Sequence, residues 1–179
     1  MEITERELGF LNFYRSSELH GGLILGQLAR GTRDAAMVVE LTRHSVEEVQ
    51  HSLLWTETIV AVGGRILPVR ETYQDRYASV IGVPTGLLEV LALTQVFERR
   101  VYRHFTDHLR RRGTHPRVRT TLARMLEEEK GHLTWVKHWL DIPAMARGDV
   151  VRETMRRYTD ADAHVYEQMT AELGWAEAA

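Results

Sequence analysis

The chain has 179 residues, 44% hydrophobic and 27% charged, with a formal net charge of −2. That balance fits one globular domain with enough length for a full core. It excludes a disordered chain and a globally basic nucleic-acid binder. Cysteine is absent, which excludes disulfides, thiolate nucleophiles, zinc–thiolate sites and iron–sulfur clusters, so any metal must be held by nitrogen and oxygen.

The apolar residues repeat at intervals of three and four, and no β-branched clusters of period two interrupt them. The pattern predicts an all-α chain, punctuated by Pro68, Pro84, Pro116 and Pro143. A first helix is expected over 5–29, with a core stripe of Leu11, Tyr14, Glu18, Gly21, Leu25 and Leu28. A second over 33–62 carries Leu41, His44, Glu48, His51, Trp55, Thr58 and Val62, and ends at Gly63-Gly64. A connection of about twenty residues follows, by the prolines and glycines it contains. The third helix, over 86–111, carries Leu87, Leu91, Thr94, Glu98, Val101 and Phe105. The fourth, over 116–140, carries Leu122, Met125, Glu129, His132, Val136 and Trp139. A fifth, amphipathic segment covers 149–173 and includes Met155, Tyr158, Val165, Met169 and Leu173.

Loop lengths suggest how the helices pair. The first and second helices, and the third and fourth, are joined by short turns and should form antiparallel hairpins. The long connection between them can cross the length of a bundle, as in the ferritin-like four-helix variant. Residues 1–142 would be that bundle. Residues 143–179 would be a C-terminal helical extension that packs on it or forms a subunit interface, as in a homodimer.

Each of the four stripes is interrupted by an acid where an apolar residue belongs. Burying Glu18, Glu48, Glu98 and Glu129 as unpaired anions would cost several kcal/mol per ion, so positive charge must lie among them. Two Glu-x-x-His units, Glu48 to His51 and Glu129 to His132, identify its source. At a spacing of three, carboxylate and imidazole project from one helix face and can bind a cation together. Four Glu and two His form the ligand set of dimetal carboxylate bundles. The duplication supports this: Glu18 precedes Glu48 by 30 residues, and Glu98 precedes Glu129 by 31.

On these six residues, residues 1 to about 142 resemble the ferritin-like di-iron carboxylate superfamily, which includes rubrerythrins, ferritins and di-iron oxygenases. The resemblance implies two iron ions (or Mn/Fe, or Mn/Mn), bridged by Glu48 and Glu129, with Glu18 and Glu98 as terminal ligands. It implies reaction with O2 or peroxide and oxidation or oxygenation of a small organic substrate. Rubrerythrins carry a further carboxylate three residues before the lone Glu of the third helix, where this chain has Gln95. They also carry a cysteine-ligated iron, so a separate reductase would deliver any electrons needed here. The alternatives are a ferroxidase or iron-handling protein, and a metal-free helical interaction module.

Other residues carry two readings each. His44, one turn before Glu48, is either a core histidine bonded to a carboxylate or carbonyl, or a group that orients the ligands or relays protons. Tyr14, one turn before Glu18, and Tyr102, one turn after Glu98, are core tyrosines or hydrogen-bonding groups beside the metals. Gly21 and Gly22 either permit close helix packing or open a cavity at the metals. Gly131 is expected to face away from the metals and relieve packing against another element. Nine arginines fall between Arg99 and Arg124, as a solvated hairpin tip or a phosphate-binding stripe. Glu47, Glu127 and Glu128 are expected on a solvated face. No run of 18 apolar residues and no apolar signal core is present, so neither a membrane nor a nucleic-acid partner is expected, and the expected compartment is the cytoplasm.

Overall fold

The computed structural model describes residues 2–142 and 147–175; Pro143 lies outside them. Among the described residues the protein is all-α, with no strand. Six helices run in the order α1 (Glu5–Gly31), α2 (Ala35–Ala61), α3 (Tyr73–Ile81), α4 (Leu87–Arg110), α5 (Pro116–Asp141) and α6 (Gly148–Glu172). Five agree with the periodicity to within two residues at each end. α3 is the correction: the expected connection contains a nine-residue helix. The chain divides into two compact units, one of residues 1–74 and 113–121, the other of residues 75–112 and 122–179.

In the first unit, α1 and α2 are an antiparallel hairpin. Thr4 caps α1 by accepting from the Glu7 N–H, and Asp34 caps α2 by accepting from the Met37 N–H. Either cap satisfies a backbone donor that the helix leaves unpaired. Only residues 32–34 separate the helices, which forces them alongside each other. They approach closely because small residues meet. Ser45 Oγ donates to the Gly22 carbonyl and Ser52 Oγ to the Arg15 carbonyl, both at 2.7 Å. A Cβ on Gly22 would lie 2.8 Å from Val49 Cγ2 and 3.0 Å from the Ser45 carbonyl. Gly22 is therefore a close-packing glycine, and the cavity reading does not apply to it.

The connection after α2 turns at Gly63, whose φ of +75° suits glycine. It then runs back along α1. Asn12 donates to the Arg65 carbonyl at 3.1 Å and accepts from the Leu67 N–H at 2.7 Å. Further along, Gln74 Nε2 donates to the Ser17 carbonyl at 3.0 Å. The first turn of α5 belongs to this unit, where the buried Glu7 carboxylate accepts from the His115 N–H at 3.0 Å.

In the second unit, α6 packs on α4. Tyr158, Ala161, Val165 and Met169 are the buried face of α6, so the amphipathic stripe is used within the chain. A buried carboxylate organises this packing. Asp162 accepts from Tyr77 Oη at 2.6 Å and from Arg100 Nε at 2.8 Å and Nη2 at 2.5 Å. Arg100 also lies over the Tyr166 ring, 4.0 Å from its centroid. Arg111 covers the Trp175 ring at 3.9 Å, and Arg124 pairs with Glu128. With Arg119, whose Nε donates to the Thr114 carbonyl at 3.3 Å, at least four of the nine arginines have intramolecular roles. Gly131 is exposed, and a Cβ placed on it would meet nothing within 4 Å, so it relieves no packing.

Candidate metal centre

The first unit holds half of the ligand set. Glu18 projects from α1, and Glu48 and His51 from one face of α2. All three are buried, and one ligand atom from each lies within 4.8 Å of the others. Buried ligand atoms gathered this closely could hold a metal ion. Gly21 packs beside the carboxylate: a Cβ there would stand 3.5 Å from Glu48 Oε2, an ordinary contact. His44 Nε2 lies 2.9 Å from Glu48 Oε1, with both residues buried. This is the carboxylate-bonded arrangement, and it also fixes how Glu48 is presented. Tyr14 is a core tyrosine, its ring 5.2 Å from that of Trp55 and 6.2 Å from that of Phe10.

The second unit holds the matching half, with Glu98 on α4 and Glu129 and His132 on α5, all buried. His132 Nδ1 lies 2.9 Å from Glu129 Oε2 and 3.9 Å from Glu98 Oε2. Burial disfavours the imidazolium, but hydrogen bonding and charge from Glu129 and Glu98 outweigh it and push the His132 pKa up to about 12. Without a metal, His132 is a cation between two carboxylates. A bound divalent ion would displace that proton, because only the neutral ring ligates. Tyr102 is half-buried. It lies near the exposed Lys130 ammonium, whose pKa is raised by its pairing with Glu127 and, to a smaller degree, by the Tyr102 phenol.

Gln95, one turn before Glu98, is buried, and its Oε1 accepts no hydrogen bond. It lines an open cleft of about 460 Å³ together with Arg99, Leu133, Thr134, Lys137 and His138. Gln74, half-buried on α3, went unseen in the sequence. Its Nε2 lies 3.3 Å from where a Gly21 Cβ would stand, and no signal marked it because the short α3 was itself hidden among turn residues.

Each half therefore offers two buried carboxylates and one imidazole. Among the described residues no lysine or arginine is buried, so the countercharge within reach in the core is imidazole. His44 and His51 stand by Glu18 and Glu48 in the first half, and His132 alone by Glu98 and Glu129 in the second; a divalent cation in each half would match the charge of its two carboxylates. The donor set fits iron, manganese or zinc by chemistry. No protein-family model, no curated protein and no solved structure matches this chain.

Proposed function

We propose that the chain is a ferritin-like four-helix protein in which the two half-sites together hold a pair of iron or manganese ions. Its activity would be that of an oxidoreductase acting on a small organic substrate with O2 or peroxide. The observation that carries this reading is the duplicated set of three buried ligands, Glu18, Glu48 and His51 in one unit and Glu98, Glu129 and His132 in the other. A structural role explains such a set poorly, because buried anions without matching countercharge destabilise a fold.

When bound, such a metal pair supplies the redox chemistry toward O2 or peroxide. The protein's own residues do the rest. Glu48 and Glu129, each beside an imidazole on the same helix face, would hold the ions together with Glu18 and Glu98. His44 holds Glu48 in orientation. His132 would hold the metal through its neutral ring, with its proton released to solvent. The cleft at Gln95 lies one turn along α4 from Glu98 and offers a small molecule an open approach, with apolar walls and charges of both signs, among them the Lys137–Asp141 pair.

Metal analysis after anaerobic loading with Fe(II) tests the reading. Two ions per chain are expected, and Glu48→Ala or Glu129→Ala should reduce the content to one or none. One ion or none in the wild-type protein would overturn it. Added Fe(II) in air should be oxidised only to about two equivalents per chain, the capacity of such a site. Sustained oxidation far beyond that would favour iron handling over substrate oxidation.

A further inference from the structure

The outer face of α2 is apolar and uncovered. Val39, Val46, Val49, Leu53 and Val60 are all exposed there, Leu53 by 57% and Val60 by 63%. They lie opposite the face that carries His44, Glu48, His51 and Trp55. Positions 39, 46, 53 and 60 recur every seven residues. Thr42, Val49 and Thr56 fill the intervening positions, three residues after 39, 46 and 53. This is the a/d pattern of a helix–helix seam, rich in β-branched residues at a. Beside it on α1, Leu23 follows the close-packed Gly22 and is 63% exposed, and Leu19 lies one turn earlier.

We propose that this face binds a second copy of the chain, with α2 of each copy packed antiparallel across a two-fold axis near Gln50. Size permits the choice, at the low end of stable interfaces. From Val39 to Val60 the seam runs about 32 Å at 1.5 Å per residue, and with α1 alongside its footprint is about 600 Å². A standard stable interface covers about 800 Å² on each partner, and a single apolar patch of this size is at the upper end for a monomer.

Charge selects the partner and its direction. Arg43, Gln50 and Glu57 occupy the exposed position that flanks the seam, seven residues apart. In an antiparallel pair this position meets its own copy. Arg43 then faces Glu57 of the second chain, Gln50 faces Gln50, and Glu57 faces Arg43. The series is self-complementary under a two-fold rotation, as an isologous interface requires. Arg43 now pairs with Glu40 on its own helix at 2.7 Å, an exposed contact that exchanges easily for a new one.

Sedimentation equilibrium of the metal-loaded full chain tests this. A species of twice 20.6 kDa is expected in the micromolar range. Leu53→Lys, at an exposed position, should give a monomer with unchanged helicity and metal content. R43E sets carboxylates against each other at both ends of the seam and should weaken the dimer by about tenfold or more. E57R should do the same with cations, and the R43E/E57R double variant should restore the affinity. A monomeric wild type would overturn the proposal, and so would a dimer indifferent to Leu53→Lys. A double variant weaker than both single ones would overturn the antiparallel register.

Discussion

The two half-sites share their ligands and little else. Beside Glu48, four residues earlier, stands His44, hydrogen-bonded to the carboxylate at 2.9 Å. The corresponding position before Glu129 is Met125, fully buried and apolar. In the second half, His132 itself bonds its neighbouring Glu129, also at 2.9 Å. Packing differs as well. α1 and α2 close through Gly22, Ser45 and Ser52, whereas α4 meets α6 through Arg100, Asp162 and aromatic rings. The symmetry of the motif is therefore a symmetry of candidate metal ligands set in unlike surroundings. Two ions held by such a set should be inequivalent in affinity.

Stripping the metals is expected to have the largest effect. Four carboxylates would be left with histidines as their nearest countercharge, and ligand binding to the folded state alone raises stability. The melting temperature at neutral pH should fall by several degrees, as read by calorimetry with and without chelator. Identical curves would leave neither half-site a role in stability.

His44→Met makes the first half resemble the second. Removing a group that orients a ligand lowers metal affinity by about 10- to 100-fold, here for one ion of the two. Competition with a chelator should show one weakened site and one unchanged. Equal weakening of both would remove the inequivalence.

The packing contrast is tested at two glycines. In Gly22→Ala the new methyl meets Val49 and the backbone of Ser45, and overpacking of this kind costs about 1–3 kcal/mol. Gly131→Ala, in an open helix position, should stabilise by about 0.5–1 kcal/mol. Urea denaturation of the metal-loaded protein measures both. A neutral Gly22→Ala would mean the hairpin is looser than its backbone contacts indicate.

The smallest effect concerns the α4–α6 contact. His104, buried against Trp175 and 2.9 Å from Tyr166 Oη, has its pKa held well below the ordinary 6.5 by burial and by nearby His108, Arg111 and Arg100. The unfolded chain therefore takes up a proton near pH 6.5 that the folded chain resists. The contribution is complete above that pH and declines as pH falls below it. His104→Gln keeps a hydrogen-bonding side chain without the titration, and should flatten the fall in melting temperature between neutral pH and about pH 5.

Much of the fold was legible because the long helices carry their phase in the sequence. Glu18, Glu48, Glu98 and Glu129 lie on apolar stripes, and a charge on a buried line is visible without coordinates. Boundaries were legible where chemistry marks them, at Gly63 and Pro116. α3 was not, since nine residues give barely two turns of periodicity, and its anchors Tyr73 and Tyr77 sit between turn residues. The role of Gly22 was also hidden: a glycine in a helix signals missing volume, but only the position of Val49 shows what occupies it. Nor could Asp162 be read, since it pairs with Arg100 and Tyr77, 62 and 85 residues away.

That carboxylate bears on how the protein is made. Tyr77 is ordered through Asp162, so the hydroxyl of α3 has no Asp162 to bond until α6 has left the ribosome. At about 5–20 residues per second, the 85 residues between them take several seconds to synthesise. During that interval the two helices of the α1–α2 hairpin, whose contacts with each other are already in hand, can pair and can present Glu18, Glu48 and His51. On the proposed reading, the first half-site would then be available to a metal earlier in the life of the chain than the second.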